Sequence, residues 1–183
     1  MTQRDREPSP EELEEALAYY KRTLAEKPDD EIMWMLYGNA LSAAARFEEA
    51  VKAYERAAGG KRPLPEAHYL LGVARMSAGD FGGASDAFEV HLKRFQDIEV
   101  LVLASLCLDM EDNRAGSKAF FDAAMRMDGA RTMAYLKEYA QELVEAEGRE
   151  AADTEGTRAG LKAAIEHIDE YLKEGSSMPG KRR

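Results

Sequence analysis

The sequence predicts an all-α chain, an array of antiparallel helical hairpins stacked as a solenoid. Three observations predict it: apolar residues at helical spacing, small and large side chains that repeat in register, and proline, glycine and acidic breaks between the periodic segments. The repetition decides, because a chance amphipathic hairpin would not recur with its small and large positions aligned. Ala16, Ala50, Ala84 and Ser117 form one column at steps of 34, 34 and 33 residues, and Tyr20, Tyr54, Phe88 and Phe121 form a second at the same steps. Further columns are Leu13, Phe47, Phe81 and Arg114; Thr23, Ala57, His91 and Ala124; and Gly38, Gly72 and Ser105.

Residues 1–8 are polar and are expected to be disordered. Ser9-Pro10-Glu11-Glu12 then opens a helix, with serine as N-cap, proline in the first turn and Glu12 closing a capping box. That helix runs to about Lys27 and stops at Pro28. Its columns match the second helix of a hairpin, so residues 9–30 form a half unit. Its Glu-rich outer face reads as an amino-terminal cap; the alternative is completion by another chain.

The first full unit, residues 31–64, places Trp34, Tyr37, Gly38, Asn39, Ala40 and Leu41 on one helix and Phe47, Ala50, Tyr54 and Ala57 on the next. Gly38 and Ala50 let two backbones approach, and Trp34, Phe47 and Tyr54 fill the space around that contact. The second unit, residues 65–97, holds His68, Leu71, Gly72 and Ala74, the turn Ala78-Gly79-Asp80, then Phe81, Ala84 and Phe88. The third, residues 98–131, turns at Glu111-Asp112-Asn113; there Ser105, Arg114 and Ser117 replace glycine, aromatic and alanine, and the pattern weakens.

Beyond it the register is lost. A helix from about Arg131 to Glu147 shows Tyr135, Leu136, Tyr139, Leu143 and Val144 on one side, fit to stack on the third unit. After a polar break, a last helix over about 157–173 carries the narrow stripe Leu161, Ile165, Ile168 and Leu172. Residues 131–175 read as carboxy-terminal capping helices or a degenerate fourth unit, and 176–183 as a mobile tail.

The columns resemble the tetratricopeptide repeat pattern, whose period is 34 residues. The resemblance covers roughly residues 10–130. It implies a right-handed α-solenoid whose first helices line a concave groove. The positions that would face that groove are Ile32, Met35, Asn39 and Ser42, then Glu66, Tyr69, Val73 and Met76, then Glu99, Val102, Leu106 and Asp109, each set at steps of 3, 4 and 3 along one helical face. Members that clamp acidic carboxyl termini use lysine, arginine and asparagine at positions where this chain has Met35, Asn39, Leu70, Glu99 and Leu103. Only Asn39 is retained, and Glu99 would repel a carboxylate, so that role is rejected.

The groove is apolar in its middle and acidic at its rims. Met35, Asn39, Tyr69, Val73, Met76, Val102 and Leu106 are therefore the expected partner-binding residues, and the expected ligand is a protein or peptide with apolar anchors, either an amphipathic helix or an extended segment. The role implied is a protein-interaction module: an adaptor, scaffold or chaperone. The alternative is a self-associating structural subunit, a homo-oligomer whose groove is filled by its own last helix. Ile98 to Leu108 leaves little polar face, and a helix apolar all round is normally buried all round.

Composition and chemistry narrow the reading further. The balance of 25 basic against 35 acidic residues, -10 net, argues against nucleic acid. No apolar run reaches the length of a membrane span, the amino terminus carries no visible secretory signal, and a single cysteine excludes an internal disulfide framework. The cytoplasm is the default compartment. His68, His91 and His167 have no second ligand at helical spacing, Gly59-Gly60-Lys61 lacks the rest of a phosphate loop, and Cys107 sits in an apolar helix. No catalytic residue, metal or cofactor is expected.

Overall fold

The computed structural model describes residues 8–61, 64 and 66–147. Every regular element among them is a helix: α1 (Pro10–Glu26), α2 (Glu31–Ala43), α3 (Phe47–Ala58), α4 (Ala67–Ser77), α5 (Phe81–Leu92), α6 (Ile98–Met110) and α7 (Arg114–Glu147). The expected disordered start, the last helix over 157–173 and the tail lie outside the described residues, apart from Pro8. The chain divides into two compact units between Ala78 and Gly79.

In the first unit, α1 begins as its sequence dictates. The Ser9 hydroxyl accepts from the Glu12 amide at 3.3 Å, and the Glu12 carboxylate accepts from the Ser9 amide at 2.7 Å, a complete capping box. Asp30 caps α2 by accepting from the Met33 amide at 3.0 Å. The α2–α3 hairpin closes on Gly38. A β-carbon there would stand 2.6 Å from the Tyr54 ring, so only glycine admits the tyrosine, which is 2% exposed. Leu41, Ala50, Ala53 and Ala57 complete the buried seam. Helix α4 lies against α3, where Arg75 reaches Glu55 at 2.8 Å.

The second unit is built around α6. Of the ten consecutive positions from Ile98 to Cys107, all but Glu99 are buried, as a helix apolar on every side requires. Its small-residue column is polar yet closed: Ser105 (0% exposed) and Ser117 (1%) hydrogen-bond each other at 3.2 Å. The weakened pattern of the third repeat therefore does not loosen its hairpin, because the two hydroxyls satisfy one another inside the contact.

Helix α7 is broken at Asp128, whose φ of −160° and ψ of 98° are not helical. The Asp128 carboxylate accepts from the Arg131 amide at 3.0 Å and its carbonyl from the buried Thr132 hydroxyl at 2.7 Å, so Asp128 starts a second arm as an N-cap would. That arm returns over α6 and puts Leu136, 0% exposed, into one core with Ile98, Leu101, Val102, Leu106, Phe121 and Ala124.

The tight turns share one device at homologous positions. Ala45 (φ 55°), Gly79 (φ 81°) and Asp112 (φ 56°) all adopt the left-handed conformation. Around the first and third, the Arg46 amide donates to the Leu41 carbonyl at 2.9 Å and the Asn113 amide to the Leu108 carbonyl at 2.8 Å, the long bond of a Schellman closure. Alanine pays a steric cost there that glycine does not. Ala45→Gly is expected to stabilise the chain by about 0.5–1 kcal/mol, the left-handed penalty less the entropy glycine adds to the unfolded state. Urea denaturation checks it, and a lower midpoint would contradict it.

Candidate functional site

The expected groove residues fall into two environments. In the first unit, Met35 on α2 and Tyr69, Val73 and Met76 on α4 are half-buried, and Asn39 is exposed. These are apolar or amphipathic side chains that the fold leaves partly open to solvent. Asn39 has a defined orientation. Its Oδ1 accepts from the Tyr54 hydroxyl at 2.8 Å, and Ser42 Oγ lies 3.4 Å from the same hydroxyl. Burial raises the Tyr54 pKa, which keeps the phenol protonated and donating. The amide nitrogen of Asn39 is thereby left as the outward donor.

In the second unit the corresponding row is closed. Val102 (0% exposed) and Leu106 (2%) belong to the core with Leu136, so neither is open to a ligand as the groove reading expected. The reason is the arm of α7 after Asp128, which occupies the side of α6 where a partner would lie. Leu103, at 3% exposure, is also buried, and the Glu99 carboxylate faces Arg131 at 3.4 Å. Leu161, Ile165, Ile168 and Leu172, which the alternative reading offered as the cover of the groove, lie outside the described residues. Tyr135, Leu136 and Tyr139 were the available signal. Their spacing showed a helix stacked on the third repeat, and no residue pattern showed that this helix would fill the groove side.

A cleft of 370 Å³ at the other end of the first unit is lined by Pro28, Trp34, Arg56, Gly60 and Lys61 among others. The Trp34 indole N–H donates to the Pro28 carbonyl at 2.8 Å, and the Arg56 guanidinium lies 5.4 Å from the ring centroid. These contacts tie the α1–α2 connection to α3. They give the Gly59-Gly60-Lys61 turn a structural setting.

Cys107 is 1% exposed, and burial first, then Glu111 and Asp80, push its thiol up to about 12, so it stays protonated at neutral pH. His91 stacks on Phe95 at 4.8 Å between ring centroids. Among the described residues, no cluster of His, Cys, Asp and Glu could hold a metal ion, and no helix is long and apolar enough to cross a membrane.

Hairpins held by a small-residue seam, with part-open apolar faces, define a helical-repeat scaffold whose role is protein interaction. Comparison with known proteins gives the family. A tetratricopeptide repeat model matches residues 11–65 and 38–97, and over that span the chain belongs to the tetratricopeptide repeat family. Among curated relatives, the peroxisomal targeting signal receptors of Eremothecium gossypii and Candida albicans are each 36% identical over 76 residues, 42% of this chain and 13% of the receptor. That of Saccharomyces cerevisiae is 33% identical over 75 residues, 41% of this chain and 12% of the receptor. The chain thus matches only a small part of each receptor's length. Two solved structures of MamA superpose with TM-scores of 0.62 and 0.60 at 16% identity, covering 94% and 88% of this chain and 98% and 85% of MamA. That likeness shows the fold, a solenoid of helical hairpins.

Proposed function

We propose that this protein-interaction module holds an apolar, extended segment of a partner protein on the α2 and α4 faces formed by Met35, Asn39, Tyr69, Val73 and Met76. The carrying observation is the contrast between two homologous rows: these residues stay partly or fully open, whereas Val102 and Leu106 are filled by the chain itself. The orientation of Asn39 favours an extended ligand. Its outward amide donor needs a carbonyl acceptor, and the carbonyls of a helix are spent on its own hydrogen bonds. The relatives that align with part of this chain are named as receptors for a targeting signal, which fits capture of a short segment rather than a folded domain.

Tyr69→Glu and Asn39→Ala test this reading by affinity capture from the source lysate. Tyr69→Glu is expected to lose at least about tenfold of any specifically captured protein, since an aromatic anchor is worth roughly 2 kcal/mol or more, and Asn39→Ala about two- to tenfold, since one hydrogen bond is worth about 0.5–1.5 kcal/mol. Circular dichroism and a urea midpoint establish that each variant folds. Capture unchanged in both would refute the site. The self-associating alternative predicts instead concentration-dependent sedimentation that charged residues at Leu161 and Ile168 abolish.

A further inference from the structure

A second apolar surface lies in the other compact unit, lined by none of the expected groove residues. Leu92 at the end of α5, Phe95 in the following loop, Leu101 on α6, and Ala123, Arg126 and Met127 on α7 line a cleft of 370 Å³. Its size is at the lower end of the roughly 300–1,000 Å³ of ligand sites, room for an anchoring side chain or two. Phe95 is 39% exposed and Met127 44%, the two large apolar side chains that this unit leaves most open among the described residues. Phe95 does not swing freely, because its ring is held against His91 at 4.8 Å.

Basic residues stand beside this cleft in a chain that is acidic overall. The chain carries -10 net, yet Lys93 and Arg94 stand between Leu92 and Phe95 in sequence, and Arg126 lines the cleft itself. All three are exposed, and among the described residues none is ion-paired, whereas Arg46, Arg75, Lys118 and Arg131 each face a carboxylate. At physiological salt, charges further than about 8 Å away are largely screened, so a bound segment would meet the local set: these three cations, and Asp97, Asp122 and Asp128, whose carboxylates already accept from the Glu99, Val100 and Arg131 amides or face Lys118.

We propose that this cleft is a docking surface for an acidic segment of a protein partner, with one or two apolar anchors seated among Leu92, Phe95, Leu101 and Met127 and carboxylates paired to Lys93, Arg94 and Arg126. Apolar anchors supply affinity in the concavity, and the flanking cations select the sign of the partner. The concave form receives side chains, where a membrane-seeking surface would protrude.

The test uses the full chain carrying Tyr69→Glu, which removes ligands of the α2–α4 face, as bait for an unbiased phage-displayed library of random peptides. The expected pool is net acidic with apolar anchors. Its binding should fall at least tenfold with Met127→Asp and with the pair Arg94→Glu and Arg126→Glu, and it should weaken as salt rises. These positions are exposed, so the variants keep their fold, and an unchanged urea midpoint verifies it. The proposal is overturned by no enrichment, by basic or uncharged peptides, or by binding indifferent to both sets of substitutions. It is equally overturned if phosphatidylserine vesicles but no peptides bind through these residues, or if they instead mediate dimerisation of the chain in sedimentation.

Discussion

Leu106→Glu is expected to unfold the second unit rather than to weaken a binding site. Leu106 is 2% exposed and shares a core with Val102, Phe121 and Leu136. Removing a buried leucine costs about 2–5 kcal/mol by lost contacts alone, and the introduced carboxylate must then be desolvated or protonated with no partner in an apolar surround. The combined loss, at least about 4 kcal/mol, is of the order of a domain's whole stability. Urea denaturation followed by circular dichroism should show a large loss of helix already in buffer. A folded Leu106→Glu chain with a midpoint near that of the parent would mean that the arm after Asp128 does not seal α6 in solution.

Gly38→Val should be the most damaging change in the first unit. Even the first added carbon would stand 2.6 Å, 2.8 Å and 2.9 Å from three atoms of the Tyr54 ring. The ring has little room to retreat, since it is 2% exposed and its hydroxyl is held by Asn39 at 2.8 Å. Overpacking of this kind costs about 1–3 kcal/mol, and the gain from replacing a helical glycine, roughly 1 kcal/mol at most, does not offset a branched side chain. We expect a loss of about 3 kcal/mol. A double-mutant cycle separates the cause: in a Tyr54→Ala background the same substitution should cost far less. Equal costs in both backgrounds would show that the ring is not what glycine accommodates.

The hairpins were legible because close backbone approach constrains residue type. Gly38 with Tyr54, and the left-handed turn residues Ala45, Gly79 and Asp112, recur at fixed spacing because each hairpin meets the same steric problem. The capping box at Ser9 was legible for a local reason, being a contact between residues three apart. What the sequence did not disclose depends on which surface meets which. Val102 and Met35 occupy equivalent positions and are both apolar; one is sealed by Leu136, thirty-four residues further on, and although the apolar helix around Val102 announces that it is covered, nothing there names the segment that covers it. Ser105 and Ser117 looked like a weakened seam because a hydrogen bond between two columns is invisible when each column is read alone. The basic cleft escaped notice for the same reason, as Phe95 and Met127 come together only when α5, α6 and α7 are folded.

The break at Asp128 has a bearing on modularity. Repeat arrays are commonly lengthened or shortened by whole units, each exchanging one exposed face for another. Here α6 has almost no polar face to exchange, and among the described residues its open side is closed by the chain that turns back through Thr132 and Leu136. Cutting after Met127 would leave the described hairpins whole, yet it would bare the most apolar helix of the described chain to water. Among the described residues, the smallest self-sufficient form of this unit therefore extends beyond its last hairpin, to the segment that carries Thr132 and Leu136.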